Sequence, residues 1–417
     1  MNPLRQQIEQ EIRERGPIPF SRYMEICLYD EDLGYYSRHS AQFGKAGDFY
    51  TSSDVHAVFG RLLARQFEEM WRALGSPAEI TIKELGPGRG LFAQDVLDWS
   101  EKKFPNFFHA LRYVLIERSP ALRQRIESTL GRHLQTGRAV LSFGKASGVP
   151  ERRHSLTQHA SAGTDAGLER VPSEPALSKR SAPKGTARGA DAPTILFANE
   201  FFDALPVEIL SAQGSLRIDL RNDRFIETWT PASAEELEFL DRYSVHPEEN
   251  ERVEVPLAAQ RHADQIFFTL DRGFAVIIDY GYTREEQLAG RHRGTLKAIR
   301  QHSVSLNPYE APGEQDITAD VNFTALAAAT EKHGMHTQKL ITQSQFLLGL
   351  GEANEFADAF EDCRLPQERA KVGLQLKHLV TPAGMGESFH VLVASKGIEK
   401  EKGAALTGLS FGKTAVR

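Results

Sequence analysis

The sequence predicts an α/β fold, a mostly parallel sheet with helices on both faces. Three observations carry this. Short apolar runs of strand length, such as "ITIKEL" at 80–85 and "FAVIID" at 274–279, alternate with amphipathic helical stretches. A glycine-rich turn, "ELGPGRG" at 84–90, follows the first of these strands and opens a helix, where an open α/β sheet holds its ligand. The length of 417 residues, 41% hydrophobic and 25% charged, suits one large domain with insertions, or two domains.

The elements follow in order. Leu4 to Arg15 reads as a helix with Leu4, Ile8 and Ile12 on one stripe, stopped by "GPIP". Phe20 to Tyr29 reads as a second helix with Ser21 as its cap. A tyrosine- and glycine-rich loop then leads into a long helix from about Val55 to Leu74, capped by Ser53 or Asp54. From Ile80 the pattern becomes strand and helix in turn. "ITIKEL" is followed by a helix from Leu91 to Phe104, "YVLIE" at 113–117 by the helix "SPALRQRIESTL", and "AVLSF" at 139–143 closes this run. "TILFAN" at 194–199, "FAVIID" and "FHVLVAS" at 389–395 complete the strands. Val207 to Trp229 reads as a three-stranded meander with turns at "AQGS" and "RNDR". Lys145 to Ala192, with almost no large apolar residues, reads as a disordered insertion, and 398–417 as a flexible tail.

Composition removes several classes. A net charge of −6 and a pI near 6.2 argue against a nucleic-acid-gripping surface. Cys27 and Cys363 have no partner spacing, which fits a reducing compartment and neither a disulfide scaffold nor a cysteine zinc site. No apolar run is long enough to span a bilayer, and the N-terminus lacks an apolar signal core. The expectation is a cytoplasmic bacterial protein with no membrane or nucleic-acid partner. The histidines show no metal-ligand spacing, so no metal is expected.

The glycine loop narrows the ligand. A dinucleotide fingerprint needs G-x-G-x-x-G, but the third glycine here comes one residue early and Leu91 stands in its place; a phosphate loop does not match either. What remains is E-x-G-x-G-x-G, with Glu84 ahead of Gly86, Gly88 and Gly90. Such a turn suits a cofactor with an adenosine and no phosphate, S-adenosylmethionine. Glu117, closing the next strand, can accept both ribose hydroxyls. Asn199, Glu200 and Asp203, in "NEFFD", lie just past the fourth strand at the same cleft edge. Polar residues there can orient a nucleophile, although Asp203 could instead cap a following helix. Asp279 and Tyr280 reach the same edge.

In chain order, "GDFYTSSDVHAVFG", "ELGPGRG", "NEFFDALPVE", "IDYGY", "RGTLKAIRQHSVSLNPYEAPGEQDITADVNFTALA", "TQSQFLLGLG" and "GMGESFHVLVASKG" resemble the MidA family of S-adenosylmethionine-dependent methyltransferases. Its mitochondrial members are complex I assembly factors with protein-arginine methyltransferase activity. The resemblance implies a Rossmann-like class I methyltransferase with a mostly parallel seven-stranded sheet. It divides the chain into an N-terminal helical segment with a cofactor-covering loop (1–78), a methyltransferase core (79–144, 193–206, 271–284 and 320–397) and inserted antiparallel and helical substrate-side regions (207–270 and 285–319). It places Asp48, Thr51 and Ser52 over the cofactor, and Gln301, His302 and "GEQDIT" on the substrate side. Where the family reads G-D-F-x-T-S-P-E this chain has Ser53 and Asp54, which keeps the acid in kind. The implied activity is methyl transfer to an arginine of a protein substrate, with Glu200 and Asp203 as catalytic carboxylates and Asn199 holding a guanidinium nitrogen. An S-adenosylmethionine-binding assembly factor and a small-molecule methyltransferase are the alternatives. The oligomeric state stays open.

Overall fold

The computed structural model describes residues 2–37, 57–142, 192–300, 303–305, 307–352 and 354–411. Asp48, Thr51, Ser52, the cap candidates Ser53 and Asp54, Gln301, His302 and all of the 145–192 insertion but its last residue lie outside the described residues.

Asn2 accepts from the backbone N–H groups of Leu4 and Arg5, and Pro3 supplies a preset φ, so α1 (Pro3–Arg15) begins where its orphan donors are met. β1 (Ile18–Pro19) and α2 (Phe20–Tyr29) follow. Ser21 does not cap α2: the cap position is Pro19, two residues before Ser21, whose hydroxyl donates to Glu208 instead. α3 (Val58–Ala73) precedes β2 (Ile80–Leu85), α4 (Leu91–Lys103), β3 (Leu111–Ile116), α5 (Pro120–Gln135), β4 (Ala139–Ser142) and β5 (Thr194–Asn199). Then come β6 (Glu208–Ser211), β7 (Gly214–Arg221), β8 (Arg224–Thr230), α6 (Ala234–Tyr243), β9 (Val253–Val255), α7 (Leu257–Phe268) and β10 (Gly273–Tyr282). β11 (Lys297–Arg300), β12 (Ser303–Ser305), β13 (Asp316–Thr318), β14 (Val321–Asn322), α8 (Phe323–Lys332), β15 (His336–Thr337), β16 (Ile341–Thr342), α9 (Gln343–Glu352), α10 (Pro366–Val380), β17 (Phe389–Lys396) and α11 (Lys400–Ala404) complete the labelled elements.

Seven strands make the main sheet in the order β15-β17-β10-β5-β2-β3-β4. β10, β5, β2, β3 and β4 run parallel; β17 is antiparallel to β10, and β15 to β17. β14 and β16 add short pairs to β10 and β17. The inner strands are covered on both faces, which is why β5 and β10 read as unbroken apolar runs. One face packs on α3, α4 and α9, the other on α7 and α8.

The expected meander forms as β6, β7 and β8. Asn222 and Asp223 both hold positive φ, the conformation a two-residue hairpin turn wants. The meander widens into a five-stranded sheet with β1 and β9, and β11, β12 and β13 make a second small sheet. Two expected boundaries shift. α1 and α2 share a core with β6, β7, β11 and β13, whereas α3 packs on the main sheet, so 1–78 divides between the two bodies of structure. α7 buries Ala259, Ala263 and Phe267 against the main sheet, so the inserted sheet ends before Leu257. The tail is corrected as well: Leu406 is 1% exposed in the main core, Gly408 N donates to Gln66 and Thr407 N to Glu69. Leu406, with Ile398 and Leu409 packed on the same core, and two backbone bonds fix a segment whose composition reads as loose. Among the described residues no helix is long and apolar enough to cross a membrane.

Candidate active site

β2 and β5 lie side by side, with β3 and β4 to one side and β10 to the other, so the strand order reverses between them. Ligands of open α/β sheets bind at such a reversal, beyond the carboxyl ends of the strands. The register pairs Leu85 with Ala198 and Ile278 with Asn199. The turns after β2, β5 and β10 therefore meet at one edge, on a cleft of about 1050 Å³.

The glycine loop forms one wall. Gly86, Gly88 and Gly90 hold φ of 60°, 54° and 75°. A Cβ at Gly86 would meet the Phe201 ring at 2.8 Å, and one at Gly88 would meet nothing within 4 Å. The loop thus packs tightly against the Asn199–Asp203 turn at Gly86 and leaves room on the cleft side at Gly88, a space that any side chain there would enter. Glu84 is buried and accepts from the Tyr113 hydroxyl at 2.9 Å; burial pushes its carboxyl up to about 8. Glu117 stands one residue past β3, lines the cleft and accepts from Ser119 N at 2.8 Å. Burial pushes it up to about 7 against the pull of that bond. Arg89 also lines the cleft, where burial, and then Arg125, lower its pKa. His262 of α7 lies 5.3 Å from the Phe201 ring, and burial lowers it to about 4, so it is neutral at neutral pH.

The second wall is the turn after β5. Glu200 holds φ +50°, and its N–H donates to Ile278 O. Asn199 Nδ2 donates to Glu200 Oε1 at 3.0 Å. No helix follows Asp203, so it caps nothing; its Oδ2 accepts from the Tyr280 hydroxyl at 2.5 Å. Burial raises Asp203 to about 6, and the tyrosine holds it lower than burial alone would. Asp279, fully buried, ties the turn down. Its Oδ2 accepts from the backbone N–H groups of Phe201, Phe202 and Asp203 at 3.2, 3.0 and 3.4 Å, and Oδ1 from Tyr280 N at 3.0 Å. Burial, then the charges of Asp203 and Glu200, raise Asp279, while four N–H groups favour its charged form. Among the described residues, two acceptors on this turn, Asn199 Oδ1 and Asp203 Oδ1, are buried with no hydrogen-bond partner.

The third wall comes from the inserted parts, which sequence reasoning resolved least. Tyr36 donates to Asp316 Oδ1 at 2.8 Å and Tyr29 to Ala204 O at 2.9 Å, so the N-terminal segment reaches the cleft through two tyrosines. Asp316 belongs to the expected "GEQDIT" run. His292, Lys297 and Asp320 also line this wall and were not expected; the signals available were the Gly-flanked "GRHRG" and the "DITAD" that ends the polar run. Among the described residues no group of three or more histidine, cysteine or acidic side chains could hold a metal ion.

Residues 62–341 match the family model described as "Putative S-adenosyl-L-methionine-dependent methyltransferase". The chain is 28% identical over 418 residues to the mitochondrial protein arginine methyltransferase NDUFAF7 homolog of Drosophila melanogaster, covering 95% of this chain and 85% of that one. It is 26% identical over 408 residues to the mitochondrial protein arginine methyltransferase NDUFAF7 of Homo sapiens, covering 94% and 82%. Among solved structures, a Burkholderia thailandensis protein bound to S-adenosyl-homocysteine superposes with a TM-score of 0.76 at 26% identity, covering 98% of this chain and 94% of that one.

Proposed function

The chain belongs to this family of S-adenosylmethionine-dependent methyltransferases, and we propose on that premise that its acceptor is an arginine side chain of a protein. The cofactor is S-adenosylmethionine. The cleft suits it: Gly88 leaves room beside the loop, and Glu117 offers a carboxylate to a ribose diol. In this reading Gly86, Gly88, Gly90 and Glu117 hold the adenosine end and Glu84 braces the loop from beneath. Bound S-adenosylmethionine supplies a methyl group on a sulfonium.

The observation that carries the arginine reading is the pair of buried, unpartnered acceptors, Asn199 Oδ1 and Asp203 Oδ1, beside the Glu200 carboxylate. A guanidinium is a planar fork of five N–H donors and no acceptor, the complement of such a wall. It stays protonated at working pH and is a poor nucleophile, so the protein must localise its charge on the nitrogens away from the reacting one. In this reading Glu200 and Asp203 take that task, and Asn199 holds one nitrogen in line. Alignment at near-attack distance can contribute up to about 7–11 kcal/mol. The names of the curated relatives support the same acceptor class.

The test is transfer of labelled methyl groups to lysate proteins, followed by hydrolysis and amino-acid identification. Label in methylarginine is expected, with Glu200→Gln lowering the rate at least about 10²-fold while cofactor affinity stays within about two-fold. Label only in small metabolites would replace the protein acceptor with a small molecule. A protein that binds the cofactor and labels nothing would point to an assembly role.

A further inference from the structure

A polar cluster on the third wall takes no part in the reading above. His292 holds φ +54°, a conformation rare for residues other than glycine and concentrated at functional sites. Its ring stacks on Tyr282, with centroids 5.3 Å apart and planes 22° from parallel. Its Nδ1 lies 3.0 Å from Asp320 Oδ2. The other oxygen of Asp320 takes Lys297 Nζ at 3.1 Å, which favours the ionised carboxylate. An ionised carboxylate only accepts, so in the neutral imidazole Nδ1 carries the proton and Nε2 keeps its lone pair. The imidazole is 29% exposed against 11% for Asp320, so it can pass a proton on to solvent.

The cluster is tied to the Asn199–Asp203 turn. Ala319 N donates to Asp203 O at 3.0 Å, which puts Asp320 one residue from that bond. Lys297 Nζ sits 5.2 Å over the ring of Tyr280, whose hydroxyl donates to Asp203. Among the described residues, the charged or titratable groups around His292 include Asp320, Lys297, Tyr282 and His390, with Glu387, Glu286 and its partner Arg291 beyond His390.

We infer that His292, oriented by Asp320, is the general base of the transfer. The inference rests on an acceptor nitrogen that loses a proton, as arginine does. The N–CH3 bond forms with the electron pair of that nitrogen, the electrons of the S–CH3 bond stay on sulfur, and the displaced N–H proton moves to His292 Nε2. Glu200 and Asp203 then give up no proton to the step and, above the Asp203 pKa of about 6, keep hold of the guanidinium. An imidazole suits this step because it exchanges protons near neutral pH, where a solvated carboxylate is too weak a base.

Two measurements test it. In the labelled-methyl assay from about pH 6.5 to about pH 9, above the Asp203 pKa of about 6, His292→Asn should run about 10²-fold slower at saturating cofactor and lose the acidic limb of the rate profile. Its cofactor affinity by calorimetry should stay within about two-fold. Asp320→Asn should shift that limb and lose less rate. A His292→Asn variant that keeps the wild-type limb overturns the inference, as does one whose rate, cofactor affinity and thermal midpoint fall together. Without turnover, adding N-acetyl-arginine amide to the S-adenosyl-homocysteine complex should move the His292 ring signal in the NMR spectrum and lower its titration midpoint, because a nearby cation opposes imidazolium. An unmoved signal in a protein that labels arginine overturns the base. Label on another residue with the His292→Asn defect intact rejects arginine and keeps the base.

Discussion

Glu200 at φ +50° costs of order 1–3 kcal/mol relative to a relaxed residue, and Asp279 holds it there. Three successive N–H groups converge on one carboxylate oxygen, and Tyr280 N takes the other. Asp279→Asn keeps the shape but turns an –NH2 toward N–H donors on one side, so it should relax the turn at a cost of about 1–3 kcal/mol. The expected result is a lower methyl-transfer rate with cofactor affinity nearly unchanged, and faster amide exchange at Phe201 to Asp203. Unchanged exchange would refute the clamp. Gly86→Ala probes the same turn from the other wall. Its Cβ would press on Phe201 at 2.8 Å and its φ of 60° is strained for alanine. It should weaken cofactor binding and transfer together, measured by calorimetry and the labelled-methyl assay, where Asp279→Asn separates them.

At the scale of elements, the parallel strands were legible because burial on both faces writes itself as an apolar run; "TILFAN" coincides with β5 to the residue. The glycine loop and the turn after β5 were legible because strand ends and glycine spacing locate a sheet edge. The third wall was legible only in the "GEQDIT" run that holds Asp316, since Tyr29, Tyr36, His292 and Asp320 lie far apart in sequence and come together only in the folded chain. Short strands such as β1, β11 and β13 carry too few residues to show a period. The docked tail failed for a related reason: its apolar anchors are few, Leu406 with Ile398 and Leu409 packed on the same core. Leu406→Ala should cost about 2–5 kcal/mol, the range for a buried leucine, and lower the thermal midpoint without touching cofactor affinity. A midpoint equal to wild type would mean the segment contributes nothing to the fold.

For the whole molecule, pH sets two opposing trends through one set of carboxyls. Burial raises Glu84 to about 8 and both Asp95 and Glu117 to about 7 in the folded chain. Between about pH 6.5 and about pH 8.5 the fold keeps protons on these groups that the unfolded chain has released, so stability falls as pH rises. His262 does not reverse this, because burial lowers it to about 4 and it is neutral in both states above its ordinary pKa. The thermal midpoint of the ligand-free protein should therefore drop across that window. Cofactor binding should run the other way. In the proposed reading Glu117 accepts a ribose diol as a carboxylate, so binding releases a proton and weakens as pH falls through about 7. The rise in midpoint produced by S-adenosyl-homocysteine should be larger at the alkaline end than at the acid end. Glu117→Gln, which cannot ionise, should show a smaller rise with no slope across the window. A wild-type rise that is flat with pH would mean Glu117 is charged in the empty cleft as well, and that its neighbours outweigh its burial.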